Sequence, residues 1–143
     1  MSVLDRYKKK PEKGEDPPEQ EDGYVAFYAV SEAQSPPQLT IRRRGDHMYH
    51  DPSYSYLMDV VYDGLKGREV ALIFTTFVAK LRGRNLQELV KHLHFRKLDW
   101  VQEFDPARWA KPEDTAALIE QIEIYTQEEA ARLYTSPKTQ KSV

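Results

Sequence analysis

Residues 54 to 81 restrict the fold of this chain more than any other stretch. Tyr54, Tyr56, Met58, Val60 and Tyr62 alternate with Ser55, Leu57, Asp59 and Val61. That is the period-two pattern of a β-strand, in which successive side chains leave opposite faces. Asp63-Gly64-Leu65-Lys66-Gly67 comes next, and its glycines offer the positive-φ backbone that a tight reversal needs. Glu69 to Leu81 then forms a long apolar and β-branched run. From Val70 to Phe74 both parities are apolar, so this arm of the hairpin is expected to be covered on both faces and central in its sheet. Thr75-Thr76 reads as a bulge or bend within it, Phe77, Ala79 and Leu81 continue its inward face, and Gly83 terminates it.

The flanking segments supply further elements. Tyr24 to Val30 is a compact aromatic and β-branched run, read as a strand, which Ser31 to Pro37 breaks with Pro36-Pro37. Leu39 and Ile41 alternate with Thr40 and Arg42 as a second strand with one wet face, and the two are expected to pair across the long connection. After Gly83, Asn85 with Glu88 three residues on has the form of a capping box, while Leu86, Leu89, Val90 and Leu93 share one helical face. A helix from about Leu86 to Leu93 follows. Leu98, Trp100, Gln102 and Phe104 alternate as another strand, in which a buried Gln102 needs a partner. Asp105-Pro106 starts a short turn carrying Trp109, and Pro112 opens a short helix through Leu118. Residues 119–125 fit either a helix or an edge strand. The strand is favoured, because Thr126 with Glu129 looks like a fresh capping box for a last helix reaching Tyr134.

This order lacks the regular β-α alternation of a doubly wound fold. The expected class is α+β: an antiparallel sheet or small open β-barrel with helices packed on one side. A length of 143 residues suits one such domain, placed at 23–135. Residues 1–22, charged and proline-rich, are expected to be a disordered N-terminal tail, and residues 136–143 a flexible C-terminal one.

Absences limit the chemistry. With no cysteine there is no disulfide framework, thiolate catalysis or cysteine-based metal site. The longest apolar run, Val70 to Ala79, is too short to span a bilayer. The N-terminus MSVLDRYKKKPEKGED lacks the apolar core of a secretory signal, so a cytoplasmic location without a membrane partner is expected. Gly64 and Gly67 lack the following residues of a phosphate cradle, no serine sits in a glycine-flanked elbow, and no cofactor is expected.

Three functional readings remain. The first is a non-enzymatic interaction or assembly domain, in which Tyr54, Tyr56 and Tyr62 form a tyrosine-rich sheet face that binds another protein or a second copy of the chain. The second is an RNA- or anion-binding domain. A net charge of -2 gives no global attraction, but residues 80–97 carry Lys80, Arg82, Arg84, Lys91, Arg96 and Lys97 against Glu88 alone. Arg42, Arg43 and Arg44 extend that surface for single-stranded nucleic acid if they lie near it. Arg82-Gly83-Arg84, just ahead of a helix start, is its most coherent anion site. The third is a metal-dependent or acid–base hydrolase using His47, His50 and Asp51 as ligands, with Asp46 beside them. The same spacing arises in an ordinary polar turn.

Overall fold

The computed structural model describes residues 23–45 and 47–134, so the tails assigned to 1–22 and 136–143 lie outside the described residues. The elements are β1 (Phe27–Ala29), β2 (Thr40–Arg42), β3 (Leu57–Tyr62), β4 (Glu69–Phe74), β5 (Phe77–Arg84), α1 (Gln87–His94), β6 (Leu98–Gln102), β7 (Leu118–Thr126) and α2 (Gln127–Tyr134). They build two open sheets, a four-stranded one in the order β3-β4-β5-β7 and a three-stranded one in the order β1-β6-β2. All neighbours are antiparallel except β2 and β6, which run parallel. The α+β class expected from the sequence is thus the class observed.

The hairpin around residues 63–67 forms as its residues require. Asp63 makes the turn, its carboxylate accepting from the backbone N–H groups of Leu65 (3.0 Å), Lys66 (3.1 Å) and Arg68 (3.4 Å). Gly67 sits at φ +65°, a conformation that disfavours other residues. β4 is internal and buried on both parities: Val70, Leu72 and Phe74 enter the main core, while Ala71 is buried on the opposite face. α2 packs against β5 and β7, and its start is the anticipated capping box, with Glu129 N–H donating to Thr126 Oγ1 (3.1 Å) and Thr126 N–H to Glu129 Oε1 (2.8 Å).

One apolar cluster fills the space between the sheets and α1. Ile41 and Val101 come from the small sheet, Leu72, Leu81 and Ile122 from the large one, and Leu86, Leu89, Val90 and Leu93 from the helix. At one margin a polar seam ties the sheets together. Tyr24 donates its hydroxyl to the Gln102 carbonyl and accepts from Ile119 N–H (3.1 Å). Gln102 finds the partner it needed, donating its amide to the Val25 carbonyl (3.1 Å). Glu103, 6% exposed, accepts from Arg44 N–H (2.8 Å) and Ile122 N–H (3.0 Å).

Several local expectations are corrected. Thr75-Thr76 is not a bend in one long strand but the reversal between β4 and β5, which pair antiparallel from Glu69↔Arg82 to Ile73↔Val78. β5 also runs through Gly83 rather than ending there. Its register shifts between Arg82 and Gly83, and a Cβ on Gly83 would stand 1.7 Å from the Leu118 carbonyl oxygen, so only glycine lets β7 approach. β1 and β2 do not pair, because β6 lies between them. Residues 112–118 form no helix; the Arg84 guanidinium holds the carbonyls of Pro112 (3.0 Å) and Glu113 (2.8 Å) instead. Asn85 is not a cap. It adopts φ +55° and spends its amide on the carbonyls of Asp114 (2.8 Å) and Ala116 (3.1 Å).

Candidate interaction surface

β3 is the outermost strand of the large sheet, and its local structure decides what it exposes. Ser53 accepts from Ser55 N–H (3.1 Å) and winds Tyr54–Tyr56 into a single 3-10 turn. The strand therefore starts at Leu57, and a register shift between Leu57 and Asp59 bulges it at Met58. Tyr54 is consequently removed from the expected tyrosine face. It is buried, its hydroxyl donates to the Leu98 carbonyl, and burial raises its phenol well above the ordinary range. Tyr56 and Tyr62 remain exposed.

The exposed apolar side chains concentrate here. Tyr56, Met58 (68% exposed), Val61 (53%), Tyr62 and Leu65 (83%) fall within one short stretch, and Phe95 (66%) caps the end of α1. Elsewhere only Met48 and Tyr49 are large, apolar and exposed among the described residues. Soluble surfaces scatter such side chains singly, and a concentration of them marks a contact site. Met58, Val61, Leu65 and Phe95 were not singled out from the sequence. Their traces are the apolar residues on both parities of Val60-Val61-Tyr62, a leucine inside a polar turn, and a phenylalanine beyond the helical stripe.

The backbone of β3 adds a second property. Asp63 N–H donates to the Glu69 carbonyl (3.0 Å), so with antiparallel alternation Val61 and Asp59 also direct their backbone groups to β4, while Val60 and Tyr62 turn theirs to the free edge. Asp59 covers part of that edge, its carboxylate accepting from Val60 N–H (2.8 Å). Covering an edge donor with a local carboxylate limits indiscriminate strand pairing. Asp63 is committed to the turn, and the N–H groups of Lys66 and Leu65 hold its carboxyl below the ordinary value.

The basic residues do not form one surface. Arg82 stands 3.7 Å from Glu69 and 4.0 Å from Glu123, and Lys80 stands 3.8 Å from Glu69. Arg84 pairs with Asp114 at 3.6 Å in addition to its two carbonyls. Arg82-Gly83-Arg84 is thus engaged along β5, not open at a helix start. Lys97 secures the 31–37 connection through Glu32 O (3.0 Å), Gln34 O and Ser35 Oγ (3.3 Å). Lys91 and Arg96 lie exposed along and after α1, Arg96 with its guanidinium 5.5 Å from the Tyr54 ring centroid. Arg42, Arg43 and Arg44 gather elsewhere, in a depression shared with Arg108 and Trp109. Arg42 lies 4.1 Å over the Trp100 ring, and Arg44 is bound to Glu103 and to the carbonyls of Phe104 (2.8 Å) and Glu120 (3.2 Å).

The candidate metal ligands also separate. His47 borders the arginine depression, the His50 ring lies 5.7 Å from Phe77, and the Asp51 carboxylate accepts from the Thr40 hydroxyl. Among the described residues no three His, Asp or Glu side chains converge as a ligand set, and no helix is long and apolar enough to cross a membrane. No protein-family profile, curated protein or solved structure matches the chain, so the reading of its surface rests on its own residues.

Proposed function

We propose that this chain is a protein-interaction domain that assembles through the free edge of β3 and the hairpin following it. The observation that carries this reading is the coincidence of exposed Tyr56, Met58, Val61, Tyr62 and Leu65 with an outermost strand. Apolar side chains give a contact its area, and unpaired strand backbone gives it direction and register. A second copy of the chain is a direct partner for such an edge, because antiparallel pairing about a two-fold axis is self-complementary in its hydrogen bonds. The assembly role requires no reaction and no bound cofactor.

Sedimentation velocity of the full chain over a wide concentration range tests the reading. The expected result is a sedimentation coefficient that rises with concentration and loses this dependence when Met58→Lys and Val61→Lys are combined. Both positions are exposed, so the lysines are tolerated by the fold. A wild-type chain that stays monomeric at every concentration, or a double variant that associates as the wild type does, contradicts it.

A further inference from the structure

The edge of β3 is bordered by a groove with a distinct chemistry. Two adjoining depressions lie in the seam between β3 and α1. One, of about 360 Å³, is floored by Leu57, Val60 and Leu93 and rimmed by Arg96. The other, of about 310 Å³, is floored by Val70 and Val90 and rimmed by Lys91. His94 lines both, and its ring meets that of Tyr62 at 6.0 Å, dividing one from the other.

The helix side of this seam carries Lys91, His94 and Arg96, and neither Lys91 nor Arg96 enters an ion pair among the described residues. The two carboxylates on the strand side are already engaged, Asp59 by Val60 N–H and Asp63 by its own turn. The groove therefore combines apolar floors with cationic ends. Val60 and Tyr62, the residues whose backbone faces outward, lie two apart, so their side chains share the face of β3 that looks onto the seam.

Resting on the reading of β3 as the contact edge, we infer that its partner is an extended, acidic segment of another protein, added to β3 as a further strand. Side chains two apart on that segment share its helix-facing side and stand about 7 Å from one another, the separation of Val60 from Tyr62. Two apolar side chains at that spacing enter the two depressions. An acidic side chain two residues beyond each reaches Arg96 at one end and Lys91 at the other. The pattern acidic-x-apolar-x-apolar-x-acidic reads the same in both directions, so it holds for parallel and antiparallel addition alike. Strand addition beside a helix draws affinity from main-chain bonds and specificity from alternate side chains.

The test is selection of nine-residue peptides from a random display library on the full chain, followed by fluorescence anisotropy with the enriched sequences. The expected outcome is enrichment of that alternating pattern, affinity that falls as salt is raised, and binding at least about tenfold weaker in Lys91→Glu. Arg96→Asn provides a second variant, because Arg96 sits at φ +56° and asparagine tolerates that conformation; it should weaken the same peptides. Enrichment without acidic residues, enrichment of basic peptides, binding indifferent to both substitutions, or no enrichment at all overturns the inference. If the chain self-associates through β3 yet selects no acidic segment, the inference fails and the proposed function stands. A monomeric chain that selects nothing removes both.

Discussion

Replacing Tyr24 by phenylalanine isolates the polar seam between the two sheets. The ring stays, and with it the edge contacts to Phe104 (5.1 Å between centroids) and Trp109 (5.2 Å). What disappears is one hydroxyl that donates to the Gln102 carbonyl and accepts from Ile119 N–H. Both residues are buried, so water does not readily replace the lost partner. An orphaned buried polar group costs about 1–3 kcal/mol, and the pair is expected to cost about 2–3 kcal/mol because the carbonyl retains a second lone pair for other donors. For a domain of this length that lowers the melting temperature by roughly 8–12 °C.

The same substitution has a signature in pH. Burial raises the Tyr24 phenol above its ordinary value of 10.0, so the folded state keeps this proton where the unfolded chain has released it. A group with a raised folded pKa contributes stability that is complete below the unfolded pKa and is lost as pH climbs toward the folded one. The wild type should therefore lose stability steeply above about pH 10, and Tyr24→Phe less steeply. Urea unfolding at a series of pH values reads both effects. A deficit below about 0.5 kcal/mol at neutral pH, or a gap between the proteins that does not narrow from about pH 8 to about pH 11, would refute the reasoning.

Three further substitutions probe how the edge strand is supported. Gly83→Ala drives a Cβ against the Leu118 carbonyl and should cost about 3 kcal/mol in thermal unfolding, since backbone on both sides must give way. Glu103→Ala leaves Arg44 N–H and Ile122 N–H without their acceptor and should cost about 3 kcal/mol, whereas Arg44→Ala, at a partly exposed position, costs less. Thr126→Ala removes one arm of the cap on α2 and should cost about 1 kcal/mol, visible as faster amide exchange confined to that helix.

How much was legible in the sequence depended on whether the deciding partner was local. The Thr126–Glu129 box and the Asp63 turn form within a few residues, and both appear as read. Asn85 and Glu88 have the spacing of a box too, yet carbonyls about thirty residues away take the Asn85 amide. The Thr75-Thr76 reversal contains no glycine, proline or asparagine, and both flanking strands are apolar on two faces, so nothing in the linear pattern separates one strand from two. Charge was legible but counter-charge was not. Arg82 and Arg84 look free until Glu69, Glu123 and Asp114 arrive from other parts of the chain. Of the expected tyrosine face, Tyr56 and Tyr62 are exposed, while the turn at Tyr54–Tyr56 rotates Tyr54 into the core.

Amide hydrogen exchange at β3 bears on the interaction surface most directly. Tyr62 directs its N–H to the open edge, whereas Val61 and Asp63 already bond to β4. On raising the concentration of the chain, or on adding a selected acidic peptide, exchange at Tyr62 should slow by at least about tenfold while Val61 and Asp63 stay as they are. Unchanged exchange at Tyr62 under both conditions, with any new protection falling around Arg42, Arg43 and Arg44 instead, would contradict an interface at β3.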